Sequence, residues 1–376
     1  MNYTRLKAVI RKEFYHLIRD YRSLYLAFAI PLLLIILFGY ALSLDVDNVK
    51  TVVIDYDKTE LSRDFLTRLT ASPYFRITYL DETKKAVEYL DNNLASAVIV
   101  IPPDFMKNIR ADRTAELQII IDGSDPNFAG IIRNYLTVIC ERYNQKLLMN
   151  FLNRQNLSKL NPPADGRIRV WFNEDLESRN FIVPGIIALI IMIVAALLTS
   201  LVIAREYENG TMETIKSLPL RAGEFYLGKA APYFLIALTD VLIAMISGQI
   251  LFGVAMKGHF WLMLIATSLY IFVALSLGLF ISNVTKSQMI ANQMAILLTY
   301  LPSLLLSNFV FPIINMPAFL QYITYLVPAR YYIDILMGIY LRNTGFSYLW
   351  FDMLILFAFF AILSMLNFRI LRKEGL

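Results

Sequence analysis

Residue types that support catalysis are scarce in this chain of 376 residues. It contains two histidines, His16 and His259, which lie far apart in the sequence, and one cysteine, Cys140. One cysteine excludes an internal disulfide and a thiolate metal cluster, and two distant histidines argue against histidine-based or metal-dependent catalysis. The Gly228-Lys229 pair lacks the glycine-rich loop that cradles phosphates in G-x-x-x-x-G-K-[ST] motifs. We therefore predict no enzyme activity, with no catalytic residue, no metal and no cofactor on this chain.

Charged residues that could transmit a movement between this chain and a partner are concentrated in one stretch, 205–229. It begins R-E-Y-E-N-G-T-M-E, and the residues that we single out in it are Arg205, Glu206, Glu208, Gly210, Thr211 and Glu213. Gly210-Thr211 predicts a turn and a helix cap, because a threonine hydroxyl can accept from the free N–H groups at a helix start. A short helix, Met212–Ser217, then ends before Pro219. Such a helix could act as a lever at a membrane surface, or it could belong to a merely solvated loop.

Long apolar segments predict the elements that must position this stretch. The composition is 57% hydrophobic and 17% charged, and the mean hydropathy is +0.53. A helix of about 20 residues, rising about 1.5 Å per residue, crosses a hydrocarbon layer of roughly 30 Å. The predicted spans are 24–44, 181–204, 230–255, 260–282, 289–311 and 348–368. The sequence thus predicts a polytopic α-helical membrane protein with six transmembrane helices.

The distribution of lysine and arginine predicts the orientation of these spans. Basic residues are frequent in 1–23, 205–229 and 369–376, whereas the short loops on the opposite side hold only Lys257, Arg330 and Arg342. The positive-inside rule therefore predicts a multi-pass protein of the inner or plasma membrane with both termini in the cytosol. Segment 1–23 has an amphipathic pattern, which is typical of a helix in the headgroup layer or of one that packs on a partner protein.

Residues 45–180 differ from the apolar segments on either side in that they are rich in charged residues. They hold 18 Lys/Arg and 20 Asp/Glu, a balance that is typical of a water-soluble domain. Apolar runs alternate with polar, helix-like stretches, which indicates strands covered by helices. We predict an inserted extracytoplasmic α/β domain with strands at Val49–Ile54, Tyr74–Leu80, Ala97–Ile101, Glu116–Ile121 and Arg167–Asn173.

Polar and ring-bearing residues within the spans are candidates for a translocation path. Asp240 lies inside the third predicted span, where a carboxylate costs about 2.5–3.5 kcal/mol even on insertion scales. It should face the bundle interior, a water-filled path or a partner, and a purely structural role is equally open. Segment 312–345 is rich in proline and aromatic residues, which favours a re-entrant gate, although an aromatic belt would explain the tyrosines. The other path or gate candidates are Gln288, Asn292, Phe311, Pro312 and Pro317.

Several motifs together resemble one transporter family. R-E-x-E-x-G-T-M-E at 205–213, followed by L-P and L-G-K, is similar to the signature of ABC-2-type permeases, in particular exporters with a large domain between spans one and two. Segments 178–185, 282–288 and 302–317 also resemble that family. The chain departs from the family pattern at Asn308, where glycine is usual, and at Met337, where arginine often precedes Gly-Ile.

The resemblance implies a function that the residues alone do not give. In this family the 205–217 stretch docks in a groove of a separate ATPase subunit, which binds ATP and magnesium, and segment 1–23 serves as a connecting helix. It further implies a dimer with a second copy or a sister permease, contact with lipids, an extracytoplasmic adaptor in some cases, and no nucleic acid. We expect export of an amphipathic, drug- or lipid-like solute. The alternatives are a membrane-anchored sensor or scaffold that binds a ligand through its outer domain, and an ion-coupled transporter.

Overall fold

The computed structural model describes residues 2–41, 48–72, 74–92, 94–111, 113–124, 126–154, 172 and 177–376. It divides into two compact units. The helical unit comprises Met1–Ser43 and Val170–Leu376, and the sheet unit comprises Leu44–Arg169.

Two helices open the helical unit. Helix α1 (Tyr3–Arg19) begins where the Asn2 side chain accepts from the backbone N–H of Thr4, and it buries one face. Helix α2 (Tyr21–Ala41) follows directly and carries no charge from residue 24 onward. It contains an internal proline, Pro31.

The sheet unit alternates strands and helices. Its elements are β1 (Val49–Asp55), α3 (Glu60–Thr70), β2 (Phe75–Tyr79), α4 (Thr83–Asp91), β3 (Ala97–Ile101), α5 (Phe105–Arg110), β4 (Gln118–Ile121) and α6 (Pro126–Arg154). The strand order is β2-β1-β3-β4, with β1 parallel to β2 and β3, and with β4 antiparallel to β3. Every residue of β3 is buried, because apolar clusters cover both faces of the sheet.

The first four predicted strands are confirmed, within two residues at each end. Hydrophobic runs of four to seven residues between polar helices were sufficient to find them. The fifth predicted strand, Arg167–Asn173, falls on residues that the structure does not describe, apart from Phe172.

The remaining helices complete the helical unit. They are α7 (Arg179–Glu208), α8 (Thr211–Ser217), α9 (Ala222–Phe252), α10 (Phe260–Thr285), α11 (Gln288–Ala295), α12 (Leu301–Leu305), α13 (Ala318–Thr324), α14 (Pro328–Tyr340) and α15 (Phe346–Lys373). Within the described ranges, α7, α9, α10 and α15 are long and apolar enough to cross a membrane, and Ala27–Phe38 of α2 is a shorter apolar stretch.

Helix α7 is the centre of this unit. Its residues from Ile182 to Ala196 are buried, and α10 packs closely along it. A side chain at Gly278 of α10 would place its Cβ 2.1 Å from Thr199 Oγ1 and 2.5 Å from the Ala196 carbonyl oxygen. Only glycine at this position allows the two helix backbones to approach so closely.

The structure corrects the predicted span 289–311. The helix starts at Gln288, changes to a π-helical turn at Ile296–Tyr300, and ends at Leu305. Pro302 explains the irregularity, because a proline inside a helix has no N–H to donate and its ring displaces the carbonyl four residues earlier. The following segment is broken into a 3₁₀ turn and the short helices α13 and α14.

Candidate functional site

The stretch predicted to act as a lever lies at the charged ends of α7 and α9. Arg205, Glu206 and Glu208 belong to the last turn of α7 rather than to a loop. Gly210 has a φ of 68°, in the left-handed region that glycine adopts without strain, and it precedes α8. Thr211 and Glu213 lie in the first turn of α8.

Four charged side chains from three helices form an ion cluster, defined here as Lys12, Glu13, Glu206 and Lys229, in which Lys12 is exposed and the other three are buried. The Lys229 ammonium lies 2.6 Å from Glu13 Oε2 and 2.6 Å from Glu206 Oε1. Lys12 Nζ reaches the same Glu206 oxygen at 2.9 Å. The side chains of Lys229 and Glu13 are only 3% and 4% exposed. Two cations therefore balance two carboxylates, with water almost excluded from Lys229 and Glu13 and with Lys12 on the exposed side.

Hydroxyl groups satisfy the remaining carboxylate oxygens of the ion cluster. Tyr233 donates to Glu13 Oε1 at 3.1 Å, and Thr211 donates to Glu206 Oε2. The Thr211 bond links the first residue of α8 directly to the cluster. A buried charge that loses its partner costs about 3–5 kcal/mol, so the cluster ties α1, α7, α8 and α9 together.

Arg205 makes a second connection between α7 and the N-terminal helices. Its Nη2 lies 3.3 Å from Asp20 Oδ2, and its Nη1 lies 3.0 Å from His16 Nδ1. A guanidinium can only donate, so His16 Nδ1 is the acceptor and the ring proton is on Nε2.

Glu208 connects α7 to the start of α11. One of its carboxylate oxygens accepts from the backbone N–H of Gln288 at 2.7 Å, and the other accepts from the Gln288 side chain at 2.6 Å. A carboxylate at a helix N-terminus is favourable, because the first N–H groups have no partner within the helix.

Helix α8 is amphipathic and presents one face to the outside. Met212 and Ile215 are buried in the main core, whereas Glu213, Thr214, Ser217 and Leu218 are exposed. The six coupling candidates therefore do not share one surface. Glu213 is free to meet a partner, while Arg205, Glu206 and Glu208 are engaged within the chain.

Sequence reasoning missed Lys229, which pairs with Glu206, and Glu13, which pairs with the same lysine. Glu13 lies on the apolar stripe of α1 between Val9 and Leu17, and Lys229 lies in the first apolar turns of α9. A charge at an apolar position of an amphipathic helix is the signal that could have found them. The two helices approach closely here, since a Cβ at Gly228 would lie 2.6 Å from Val9 Cγ1.

The path and gate candidates are not brought together in one place. Asp240 is buried in α9, and neither carboxylate oxygen has a hydrogen-bond partner among the described residues. Gln288 belongs to the Glu208 contact described above. The others are exposed at separate positions, Asn292 in α11 and Phe311, Pro312 and Pro317 in the broken segment that follows α12.

The departure from the family pattern at Asn308 has a local explanation. Asn308 has a φ of 69°, and its side-chain Oδ1 accepts from the backbone N–H of Ile313 at 3.1 Å. Asparagine tolerates the left-handed conformation better than other residues with a Cβ, so it can stand where glycine is usual. Met337 is buried in α14.

No group of three or more metal-binding side chains occurs among the residues that the structure describes. The long apolar helices, and the ion-paired ends that join them, define a multi-pass membrane protein whose charged residues link helices.

Comparison with known proteins identifies the family. The family described as ABC-2 family transporter protein matches residues 22–369. The probable multidrug ABC transporter permease YbhS of Escherichia coli (strain K12) is 33% identical over 344 residues, which cover 91% of this chain and 90% of that protein. The probable multidrug ABC transporter permease YbhR of the same organism is 30% identical over 347 residues, 92% of each chain. ABC transporter G family member 20 of Dictyostelium discoideum is 24% identical over 96% of this chain and 49% of its own length. The chain belongs to the ABC-2 family of transporter proteins, as a permease subunit, which confirms the resemblance.

Proposed function

We propose that this chain is the membrane-spanning permease subunit of an ATP-driven exporter that moves an amphipathic, drug- or lipid-like solute out of the cytosol or inner leaflet. ATP hydrolysis takes place on a separate ATPase chain. Two bacterial relatives named as probable multidrug transporter permeases support the solute class. The proposed topology has six spans, both termini in the cytosol and residues 45–180 outside, where an adaptor protein could bind.

The observation that carries the proposal is the position of α8. Its exposed face, with Glu213, Thr214, Ser217 and Leu218, stands beside a cluster of buried ion pairs that reaches three other helices. A short helix that is free on one side and rigidly held on the other is suited to receive a partner's movement. We therefore assign ATPase docking to the exposed face of α8 and transmission to the ion cluster.

The transmission route follows the contacts. A displacement of α8 reaches α7 through the Thr211–Glu206 hydrogen bond and reaches α9 and α1 through Lys229 and Glu13. The displacement reaches the α1–α2 junction through the contact of Arg205 with Asp20, and it reaches α11 through the contact of Glu208 with Gln288. Because the buried ion pairs of Lys229 break at high cost, α1, α7 and α9 move together when ATP draws two ATPases closer.

A complete path needs more than one copy of the chain. We propose that two permease subunits, identical or sister chains, enclose it between them. In this arrangement Asn292 and Gln288 face the path, Phe311, Pro312 and Pro317 belong to an outer gate, and Asp240 is a polar element of the bundle interior. An exposed amide such as Asn292 within an apolar helix is unfavourable in lipid, which supports a watery or protein-lined surrounding.

Co-purification of a partner ATPase with variants at α8 tests the docking assignment. Tagged chain is isolated from its native membrane in mild detergent, and bound ATPase and ATP hydrolysis are measured. We expect Glu213→Arg to lower the amount of co-purified ATPase at least about tenfold, because a reversed charge at a docking face costs over 1.4 kcal/mol. The matched control is Glu141→Arg on an exposed face of α6 in the sheet unit. Equal ATPase recovery with both variants would contradict the docking assignment, and a chain that never carries an ATPase would favour the sensor.

A further inference from the structure

A charged pocket lies between α1 and the end of α7, and it borders the ion cluster at Lys12. Its volume is about 650 Å³, and it is lined by Lys12, Tyr15, His16, Arg19, Asp20, Arg205 and Asn209. We call it the basic pocket. The basic pocket shares Lys12 with the ion cluster and Arg205 with the coupling candidates, and its lining includes no residue of the docking face of α8 and no path candidate.

The basic pocket has an excess of positive charge. Three of its lining residues are cations and one is an anion, which gives a net charge of +2 with His16 neutral. Asp20 is already paired with Arg205 at 3.3 Å, and Lys12 is shared with Glu206 at 2.9 Å. Arg19 is exposed, and it has no ion pair within the described part of the chain.

The cationic side chains of the pocket are hydrogen-bond donors, and its one lining carboxylate, Asp20, already accepts from Arg205. Arginine and lysine only donate, and His16 has its proton on Nε2 because Nδ1 accepts from Arg205. Planar guanidinium groups match the geometry of phosphate oxygens, which favours a phosphate-bearing ligand.

The position of the pocket at the ends of the apolar runs indicates that this phosphate belongs to a lipid headgroup. Arg205 directly follows the uncharged run 181–204, and Asp20 lies four residues before the uncharged run 24–44. Both walls therefore stand where apolar helix gives way to charge, which is the level of lipid headgroups in a bilayer. Basic pockets between helices at this level are suited to anionic lipid headgroups.

We infer that the basic pocket binds the phosphate headgroup of one anionic phospholipid, which holds α1 and the end of α7 against the membrane. This goes beyond the proposed exporter function. The assignment of the lipid to the cytoplasmic leaflet rests on the proposed orientation. The binding itself is independent of the exporter function, because it needs no ATPase.

Binding is measured on the full chain in mild detergent by native mass spectrometry and by titration with phosphatidylglycerol or phosphatidylcholine in mixed micelles. We expect one phosphatidylglycerol per chain, with phosphatidylcholine binding at least about tenfold more weakly. Each basic residue near the surface contributes about a fivefold factor, so Arg19→Gln should raise the Kd about fivefold. Arg19→Lys, which keeps the charge, should stay within about twofold of the unchanged chain.

Two further variants serve as controls. One distinguishes binding at the pocket from general electrostatic attraction of the lipid, and the other distinguishes it from damage to the fold. Lys7→Gln removes an exposed cation from the same helix outside the pocket and should change the Kd less than about twofold. Asp20→Asn removes the pocket's one anion and should strengthen phosphatidylglycerol binding about fivefold, a gain that a damaged fold cannot produce.

The inference is overturned if both lipids bind equally or if Lys7→Gln weakens binding as much as Arg19→Gln. Displacement of the lipid by millimolar inorganic phosphate would assign the pocket to a free anion instead. Displacement by the co-purifying ATPase would assign it to an acidic segment of that partner. If no ATPase co-purifies but the lipid still binds, the proposed exporter function is contradicted and the lipid site is not.

Discussion

Replacing Lys229 by methionine tests whether the ion cluster holds the helical unit together. Lys229 is 3% exposed and lies 2.6 Å from both Glu13 and Glu206. Without it, Glu206 keeps Lys12 and Thr211, but among the described residues Glu13 keeps only the Tyr233 hydroxyl. The variant thus leaves one nearly uncompensated buried carboxylate, and we expect a loss of about 3–5 kcal/mol in the free energy of unfolding.

The double variant Glu13→Gln/Lys229→Met sharpens this test. It removes the orphaned charge together with its partner, so we expect it to recover at least about 1.5 kcal/mol relative to the sum of the single variants. Both quantities are measured by thermal unfolding of the purified chain in detergent, and protease protection of α1 reports detachment of that helix. The control is Lys107→Met, whose 82% exposed side chain lies 3.8 Å from Asp104, and it should change stability by less than about 1 kcal/mol.

Two results would refute the reasoning. If Lys229→Met were no more destabilising than Lys107→Met, water or another group would compensate Glu13, and the cluster would not be a rigid joint. If the single-variant effects of Glu13→Gln and Lys229→Met simply added, the two side chains would not interact across α1 and α9.

Three further expectations concern single positions. Gly210→Ala should destabilise the chain by about 1–2 kcal/mol, because the residue has a φ of 68°; a Tm equal to that of Gly223→Ala, a helical glycine with 3.9 Å of clearance, would contradict it. Gly278→Leu should prevent the close approach of α10 to Thr199 and lower the yield of folded protein in size-exclusion chromatography, and an unchanged elution profile would show that the pair can separate freely. Burial raises the pKa of the Cys140 thiol, so its thiolate fraction at pH 8 is smaller than that of free cysteine. A thiol reagent should react several-fold more slowly in the native chain than in detergent-denatured chain, with the rate rising with pH, and equal rates would mean that the thiol is solvated.

The sequence by itself determined the local structure and its polarity. Unbroken apolar runs mark α7, α9, α10 and α15, because a backbone in lipid must form its hydrogen bonds within one helix. Short apolar runs between polar helices located β1 to β4, and Gly210 located the left-handed turn before α8. The motif that contains Gly210, R-E-x-E-x-G-T-M-E at 205–213, indicated the ABC-2 family.

Only the tertiary structure decided what the charged residues do. Glu206 and Glu213 are seven residues apart and look equivalent in sequence, yet one is buried against Lys229 and the other faces outward. Glu13 and Lys229 are separated by 216 positions, and nothing local couples them. Such pairing depends on which helices meet, and the close contact at Gly228 sets that meeting. The π-helical turn before Pro302 has the same origin, since a proline tells where a helix is disturbed but the neighbouring helices decide how it continues.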